Sequence, residues 1–208
     1  MNIGIIGAGN IGSAAARRFA SAGHQVALSN SRGPASLAGL VDEIGSNAQA
    51  MTVDKAASFG EVVLLAIPFT RYETLPARPL AGRIVVDAMN YYPEREGSID
   101  LGDSTSTELV ARHLPDSRLV KAFNTIWSER LRLKGRTDLP LDDRLAIFMA
   151  GDDAPAKAVI AGLIEEIGFA PVDTGSLHEG GLRQQPDSPL YNVALTAREA
   201  REALAALT

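Results

Sequence analysis

The chain opens with MNIGIIGAGNIGSAAARRFASAGHQVAL (residues 1–28), and this stretch determines the fold class. The apolar run at residues 2–6 predicts a buried strand, the alanine-rich run at residues 10–22 predicts a helix, and residues 25–28 predict a second strand. The glycine motif GAGNIG (residues 7–12) joins the first strand to the helix. Because the motif stands in the strand–turn–helix context that it requires, the stretch predicts a dinucleotide-binding unit.

Each glycine of the motif has a separate expected task. Gly7 permits the tight turn, Gly9 lets the backbone approach a pyrophosphate, and Gly12 allows close packing of helix on strand. Asn10 and Ile11 begin the helix, whose N-terminal N–H groups and dipole attract phosphate. The alternative is a strand–turn–helix unit without a ligand.

The turn after the second strand, SNSRG (residues 29–33), indicates which dinucleotide binds. An NAD site uses an acidic residue about 20 residues after the glycines, but no acidic residue occurs here before Asp42. A carboxylate would repel a 2′-phosphate, whereas the Ser31 hydroxyl and the Arg32 guanidinium can bind one, with Asn30 beside them. The turn therefore predicts NADP, the alternative being a solvated polar turn with an ordinary surface arginine.

The remaining pattern predicts alternating strands and helices. Strands are expected at residues 48–53, 61–68, 82–87, 118–123, 145–150 and 170–173, and helices at residues 34–44, 105–114, 152–167 and 192–207, with a helical turn at 54–57. This order predicts an α/β Rossmann fold, doubly wound, with a mostly parallel sheet, helices on both faces and a small C-terminal extension. We expect an NADP-binding domain at residues 1–175 and, at residues 176–208, a C-terminal loop and helix that complete an acceptor site or form an oligomer contact.

Two further strands lead into loops that should line the ligand crevice. In doubly wound sheets this crevice lies at the carboxyl ends of the strands. The continuous apolar run at residues 62–67 ends at Pro68, so Ala66, Ile67 and Pro68 are expected beside ribose or nicotinamide. Asn90 lies in the corresponding loop after the strand at residues 82–87.

Composition excludes several classes of protein. The net charge of −5 and the absence of a basic cluster argue against nucleic acid as a partner, and no apolar run nears 18 residues. We therefore expect no membrane insertion and a cytoplasmic protein. The chain has no cysteine, and no His, Asp and Glu spacing suggests a metal site.

The sequence offers no convincing acid–base residue, and we predict no catalytic side chain. His24 precedes a strand at the wrong end of the sheet, and His113 is expected on a helix surface. His178 could reach the crevice from the C-terminal loop, but a solvated position is favoured. Lys121 is a candidate proton donor, but it lies within a strand, where it could simply face a cofactor phosphate or solvent. A direct hydride transfer between two cofactor rings needs no such residue.

Residues 128–144 are polar and interrupted by proline, so they could form a flap or part of an oligomer contact. Trp127 precedes them just after a strand end. It could form a wall for a planar ligand, or equally a core or interface aromatic.

The chain resembles the coenzyme F420-dependent NADP oxidoreductase family and, more distantly, the NADPH-binding domain of six-transmembrane metalloreductases. The resemblance covers nearly the whole length and is carried by IGIIGAGNIG (3–12), SR (31–32), AIP (66–68), KAFNTI (121–126) and AGDD (150–153). It implies a small, usually dimeric Rossmann protein that passes hydride between NADPH and the deazaflavin F420. It also implies that Gly9 to Gly12, Ser31, Arg32, Ile67, Pro68 and Ala122 contact NADP, while Asn124, Thr125 and the loop after residues 172–173 lie towards the second cofactor.

The sequence departs from the family pattern at two places, so the acceptor stays open. The turn at residues 29–32 is one residue longer than the Gly-Ser-Arg form, and residues 175–191 match poorly. The acceptor could therefore be a flavin, a quinone or another small molecule. An imine or hydroxy-acid dehydrogenase shares this opening but needs a long helical second domain, for which roughly 35 residues after Asp173 are too few. A non-catalytic NADP-binding redox sensor, or a module that docks to a membrane reductase, is the other alternative.

Overall fold

An eight-stranded sheet forms the centre of the computed structural model, which describes residues 1–207. The strands are β1 (Asn2–Ile6), β2 (Gln25–Ser29), β3 (Ala48–Ala50), β4 (Val62–Leu65), β5 (Ile84–Asp87), β6 (Arg118–Ala122), β7 (Ala146–Ala150) and β8 (Ala170–Asp173). Their order across the sheet is β3-β2-β1-β4-β5-β6-β7-β8. The chain therefore winds outward from β1 in both directions, which is the doubly wound arrangement.

One strand pair breaks the parallel pattern. Every neighbouring pair is parallel except β6 and β7, where Lys121 lies opposite Ala150 and Ala122 opposite Met149. Since β8 pairs in parallel with β7, the last two strands run against the first six. The prediction of a mostly parallel sheet is confirmed.

Ten helices flank the sheet within the described part of the chain. They are α1 (Asn10–Ser21), α2 (Ala38–Ile44), α3 (Val53–Phe59), α4 (Ala77–Leu80), α5 (Pro93–Glu96), α6 (Ser106–His113), α7 (Ser128–Leu133), α8 (Ala154–Glu166), α9 (Glu179–Arg183) and α10 (Ala197–Ala205). Three 3-10 turns lie at Pro34–Leu37, Phe69–Thr74 and Leu141–Asp143. Capping boxes begin α6 at Thr105 and α10 at Thr196, because each threonine accepts from the third helical N–H while a glutamate accepts from the threonine N–H.

The core lies in layers on both faces of the sheet. On one face, Ile3 and Ile5 of β1 pack in a cluster with Phe19 of α1 and Leu163 of α8. On the other face, Ile6, Val63 and Leu65 pack in a cluster with Val110 of α6; the same cluster contains Leu177 from the C-terminal segment. Leu190, Ala197 and Ala200 form a third cluster against Phe148 and Val172 at the β8 edge. Helices on both faces confirm the predicted fold class.

Several predicted boundaries are wrong. The strand at residues 48–53 ends at Ala50, since Thr52 caps α3, which extends the predicted turn to residues 53–59. The helix expected at residues 192–207 begins at Ala197, because Asn192 has a φ of 57° and Thr196 supplies the cap. The expected loop at residues 175–191 contains α9, and residues 128–144 contain α7 and a 3-10 turn.

The longest helix, α8, has 13 residues, and within residues 1–207 no helix combines the length and apolar character needed to cross a bilayer. In the same range, His, Asp and Glu side chains form no group of three that could hold a metal ion.

Candidate functional site

The glycine turn between β1 and α1 combines two crowded positions with one open position. Gly7 has a φ of 107°, and a Cβ on it would lie 2.2 Å from the carbonyl oxygen of Ala66. A Cβ on Gly12 would lie 1.8 Å from the carbonyl oxygen of Gly7, so this glycine allows the helix to pack against the turn. A Cβ on Gly9 would meet no atom of residues 1–207 within 4 Å. The open side of Gly9 is therefore the side on which a ligand can approach the backbone.

The turn after β2 is held in a defined shape by its own side chains. The Ser29 hydroxyl donates to the carbonyl of Ile5 (3.1 Å), and the Asn30 Oδ1 accepts from the N–H of Arg32 (3.0 Å). The Asn30 amide also donates to the Ser36 hydroxyl (2.9 Å). The Arg32 side chain is exposed, and none of the hydrogen bonds or ion pairs found among the described residues involves its guanidinium. This turn thus presents a free cation from a fixed backbone.

A cleft of about 670 Å³ brings seven of the predicted residues together at the carboxyl ends of β1, β2 and β4. We call it the glycine-loop cleft; the predicted residues that line it are Gly7, Gly9, Asn30, Ser31, Ala66, Ile67 and Pro68. Its other wall, which sequence reasoning missed, consists of Ile6, Val53, Asp54, Arg71, Thr74, Leu75 and Pro76. Arg71 could have been predicted from the sequence, since it lies in the loop after β4 that also carries Pro68. Asp54 adds a negative charge to the same wall.

The other predicted residues lie outside the lining of this cleft. Asn10, Ile11 and Gly12 form the first turn of α1 behind the glycine turn. Ala122 is fully buried in the core at the end of β6, and Thr125 is 4% exposed. The side chain of Ala122 therefore packs in the core cluster and not in the cleft.

Asn90 and Asn124 meet at the carboxyl ends of β5 and β6. The Asn124 amide donates to Asn90 Oδ1 (3.1 Å) and to the Gln184 carbonyl (2.7 Å), and the Asn90 amide donates to the Asn124 carbonyl (2.8 Å). Phe123 reaches this position with a φ of 66°, a conformation that is costly for an aromatic residue and typical of functional sites. The Asn124 Oδ1 is buried and accepts no hydrogen bond from any residue in the range 1–207. A buried acceptor without a donor suits the site of a ligand that carries N–H groups.

A buried ion pair lies beneath this asparagine pair and corrects one expectation. Lys121 was expected to face solvent or phosphate, but it is 3% exposed and its Nζ lies 3.0 Å from Asp87 Oδ2. The same ammonium donates to the Met89 carbonyl, and the Asp87 carboxylate accepts from the Thr107 hydroxyl (2.7 Å) and the Met89 N–H (2.9 Å). These bonds fix the loop that carries Asn90. No sequence pattern indicates this pair, because its members stand 34 residues apart.

A second cavity, of about 590 Å³, lies beside the asparagine pair. We call it the tyrosine cavity; its lining is Tyr91, Tyr92, Pro93, Glu94, Arg95, Leu101, Ser106, Gln185, Pro186, Asp187, Tyr191 and Asn192. Tyr191 shares a hydrogen bond between hydroxyls with Tyr92 and accepts from the Asn90 amide (3.3 Å). Burial, followed by the bond to Tyr92, raises the pKa of Tyr191 well above its usual value. Sequence reasoning named none of these tyrosines as site residues.

The C-terminal segment reaches the tyrosine cavity by an unexpected route. β8 is two strands away from β6 and runs against it, and Asp173 at its carboxyl end pairs with Met149, which lies opposite Ala122. Residues 174–192 then cross back: the Gln184 carbonyl accepts from Asn124, and the Asn192 N–H donates to the Thr125 carbonyl (3.1 Å). Within this segment, Gln184 contacts the asparagine pair, and Gln185, Pro186, Asp187, Tyr191 and Asn192 line the tyrosine cavity.

The histidines lie outside both cavities. His178 is exposed, and its Nδ1 lies 2.9 Å from Glu108 Oε2. The hydrogen bond to Glu108 raises the pKa of His178. For Glu108, burial opposes the hydrogen bonds from Thr105 and His178, which together lower the pKa of this carboxyl. The His113 ring contacts the Leu75 carbonyl (2.9 Å), and His24 is buried near the chain start.

Comparisons with known proteins support the architecture. The crystal structure of the hypothetical protein SMa0349 from Sinorhizobium meliloti is 36% identical, with a TM-score of 0.83 over 94% of this chain and 95% of that one. A proposed F420-dependent NADP reductase from Arthrobacter sp. FB24 shares the fold at 24% identity, with a TM-score of 0.73 over 100% of this chain and 91% of that one.

The metalloreductases are curated relatives. Metalloreductase STEAP3 of Rattus norvegicus is 32% identical over 84% of this chain, and STEAP2 of Mus musculus is 26% identical over 85%. The chain spans only 34% of the length of these relatives. Residues 2–91, which include the glycine turn and every residue that lines the glycine-loop cleft, match the family model described as NADP oxidoreductase, coenzyme F420-dependent. The chain is thus similar to this family of NADP oxidoreductases over residues 2–91, and to SMa0349 over nearly its whole length.

Proposed function

We propose that the chain transfers hydride directly between NADP(H), held in the glycine-loop cleft, and a second planar cofactor held in the tyrosine cavity. The observation that carries the proposal is that both cavities open at the carboxyl ends of neighbouring strands, with Asn90 in contact with Tyr191. Coenzyme F420 is the acceptor that the family description favours.

The glycine-loop cleft fits NADP in shape and charge. The open side of Gly9 admits a pyrophosphate against the N-terminus of α1, where free N–H groups and the helix dipole favour anions. Ser31 and Arg32 would hold the 2′-phosphate, and the Asn30 bonds keep that turn in place before the ligand arrives. When bound, the nicotinamide supplies the hydride. Asn124 Oδ1, a buried acceptor without a donor in the described chain, would orient an amide at this edge.

The tyrosine cavity supplies position and enclosure for the acceptor. Tyr91, Tyr92 and Tyr191 present aromatic surface to a planar ring, and residues 185–187 cover one side. In residues 1–207 neither cavity lining contains a histidine. Positioning two rings at contact distance can supply a large share of the rate acceleration without a dedicated acid–base residue.

A second candidate role rests on the metalloreductase likeness. The chain corresponds to about a third of those relatives, at 32% identity for STEAP3. A chain of this kind could bind NADPH and reduce a flavin or quinone, or act as a non-catalytic NADP sensor or a module that docks to a membrane reductase. These roles differ in whether NADPH is consumed by a soluble acceptor.

The test is a titration followed by turnover. NADPH is added to the pure protein and its dissociation constant measured; coenzyme F420, FMN, FAD and menadione are then added separately while the nicotinamide absorbance is followed. Rapid loss of NADPH with F420 alone supports the first proposal, and loss with FMN, FAD or menadione moves the acceptor to the flavin or quinone class. Tight binding without oxidation by any of them contradicts hydride transfer and favours the sensor role.

A homodimer is a further part of the proposal. Trp127 is 57% exposed and Val193 46% exposed, and Arg130 connects them, since it lies over the Trp127 ring (5.5 Å) and donates to the Asn192 carbonyl (2.8 Å). Exposed aromatic and aliphatic side chains joined by an arginine are typical of interface cores. Light scattering of the wild type and of Trp127→Ser tests this: the wild type should have the mass of two chains, and a single-chain mass for both would contradict it.

A further inference from the structure

Three polar groups from two distant parts of the chain meet at one edge of the tyrosine cavity. Asn90 follows β5, Tyr92 precedes α5, and Tyr191 comes from the C-terminal segment, 99 residues after Tyr92. The hydroxyls of Tyr92 and Tyr191 are hydrogen-bonded, and the Asn90 amide lies 3.3 Å from the Tyr191 hydroxyl. The two tyrosines also line the cavity. This cluster therefore faces the space that we assign to the acceptor.

The hydrogen bonds leave one proton free to point into the cavity. A phenol oxygen can accept two hydrogen bonds and donate one. The Asn90 amide nitrogen can only donate, so Tyr191 accepts there, and either tyrosine can donate the bond between the two hydroxyls. Where Tyr92 donates it, the O–H of Tyr191 is free to donate to a ligand; where Tyr191 donates it, the O–H of Tyr92 is free instead.

Tyr191 is also held firmly. The N–H of the next residue, Asn192, donates to the Thr125 carbonyl (3.1 Å), and the Asn192 carbonyl accepts from Arg130 (2.8 Å). Tyr92 is fixed by the Arg95 guanidinium over its ring (4.8 Å). Burial raises the pKa of Tyr191 and nearby Arg95 lowers it, with the net effect upward, so the hydroxyl stays protonated at neutral pH. Glu94 and Asp187 are the acidic groups of the cavity lining.

We propose that Tyr191 is a catalytic hydrogen-bond donor to the hydride acceptor. The proposal rests on the proposed function, since it places the acceptor in the tyrosine cavity. An acceptor ring that gains a hydride gains one negative charge, which collects on a carbonyl oxygen or ring nitrogen, while the nicotinamide loses the hydride and becomes NADP⁺. Tyr191 keeps its proton and donates a hydrogen bond to that atom, and solvent later supplies the proton that neutralises it. The acceptor class is therefore a planar ring conjugated to a carbonyl: a deazaflavin, a flavin or a quinone.

The experiment compares Tyr191→Phe with wild type, using F420, FMN and menadione as acceptor probes. A fixed donor aimed at developing charge is worth about 100-fold in kcat. We expect Tyr191→Phe to lower kcat by about this factor with the probe that wild type uses, while the NADPH dissociation constant stays within about twofold. With NADPH deuterated at the transferred position, the isotope effect on kcat should rise, because the chemical step becomes slower. A purely structural role would not raise it.

Two further variants make the result decisive. Tyr92→Phe keeps the Tyr191 hydroxyl but removes its hydrogen-bond partner, so a smaller loss of kcat is expected. Tyr72→Phe is the matched control: its hydroxyl bonds to Glu73, it lines neither cavity, and its kcat should equal that of wild type. If wild type oxidises NADPH and Tyr191→Phe does so equally well, the inference alone is wrong. If wild type oxidises NADPH with no probe, the proposed function fails and the inference with it. Should Tyr191→Phe not fold, unchanged kcat in Tyr92→Phe would overturn the proposal.

Discussion

Replacing Arg32 with alanine tests the choice of dinucleotide. The guanidinium is exposed, follows Ser31 of the cleft lining, and has no side-chain partner that the described residues provide. Its backbone is already fixed by Asn30, so binding costs little ordering of the turn. A hydrogen bond to a charged group contributes about 1.5–3 kcal/mol. Because solvent screens an exposed cation, the lower end applies, which is about a tenfold change in the dissociation constant.

We therefore expect Arg32→Ala to weaken NADPH about tenfold while NADH changes less than about twofold, in titrations followed by nicotinamide fluorescence. The NADPH effect should shrink as salt rises, since the contact is electrostatic. Arg198→Ala is the matched control, because Arg198 is an exposed arginine on α10 that pairs with Asp143. Equal losses of NADPH and NADH in Arg32→Ala would refute the assignment of this turn to the 2′-phosphate.

Three other perturbations separate binding from folding. Gly9→Ala should leave the thermal midpoint nearly unchanged, since the new Cβ meets no neighbour in the described structure and Gly9 has a φ of −77°. The same variant should weaken NADPH binding about tenfold or more. Gly12→Ala should lower the free energy of unfolding by about 3 kcal/mol with or without cofactor, because its Cβ would lie 1.8 Å from a carbonyl oxygen. Lys121→Met should cost about 3–5 kcal/mol in urea unfolding, because it leaves the Asp87 carboxylate buried without its cation. The bond between His178 and Glu108 raises the pKa of His178, so it stabilises the fold fully at pH values below 6.5, the histidine pKa in the unfolded chain. This stabilisation is lost as pH rises through the higher pKa of the folded state. Hydrogen-exchange protection of residues 174–184 should therefore fall across that pH range in wild type but not in His178→Gln.

Each of these expectations has a distinct contrary result. Gly9→Ala that unfolds at the temperature of Gly12→Ala would mean that the glycine turn has no room on its open side. A double variant Asp87→Asn, Lys121→Met that is no more stable than Lys121→Met would show that the stranded charge is not the cause of the loss. If the protection factors of wild type do not change with pH, His178 does not stabilise the C-terminal segment.

The fold was predictable because its signals are local. The glycine turn needs residues that are adjacent in sequence, and the run at residues 62–67 is apolar at every position because β4 is buried on both faces. The turn at residues 29–33 likewise carries its own hydrogen bonds. These local features predict the dinucleotide-binding unit and seven of the residues that line the glycine-loop cleft.

The features that the sequence did not predict depend on partners that are distant in the chain. A lysine in a strand looks the same whether it faces water or, like Lys121, a carboxylate 34 residues earlier. Tyr191 becomes a candidate only when Tyr92 and Asn90 lie beside it. The start of α10 was an error of another kind, since the Thr196 and Glu199 pair that caps it is readable in the sequence.

The reversed direction of β7 and β8 explains why the acceptor was the hardest part to predict. Because β8 is the outermost strand and β7 separates it from β6, residues 174–192 must cross β7 to reach the asparagine pair. At the crevice this segment is held mainly through its backbone, at the Gln184 carbonyl and at both the N–H and the carbonyl of Asn192. Backbone bonds place few demands on side-chain identity, so a sequence pattern for this segment carries little information about its position. Tyr191 is the exception, since its side chain enters the cluster, and it is therefore the residue through which the segment can act on an acceptor.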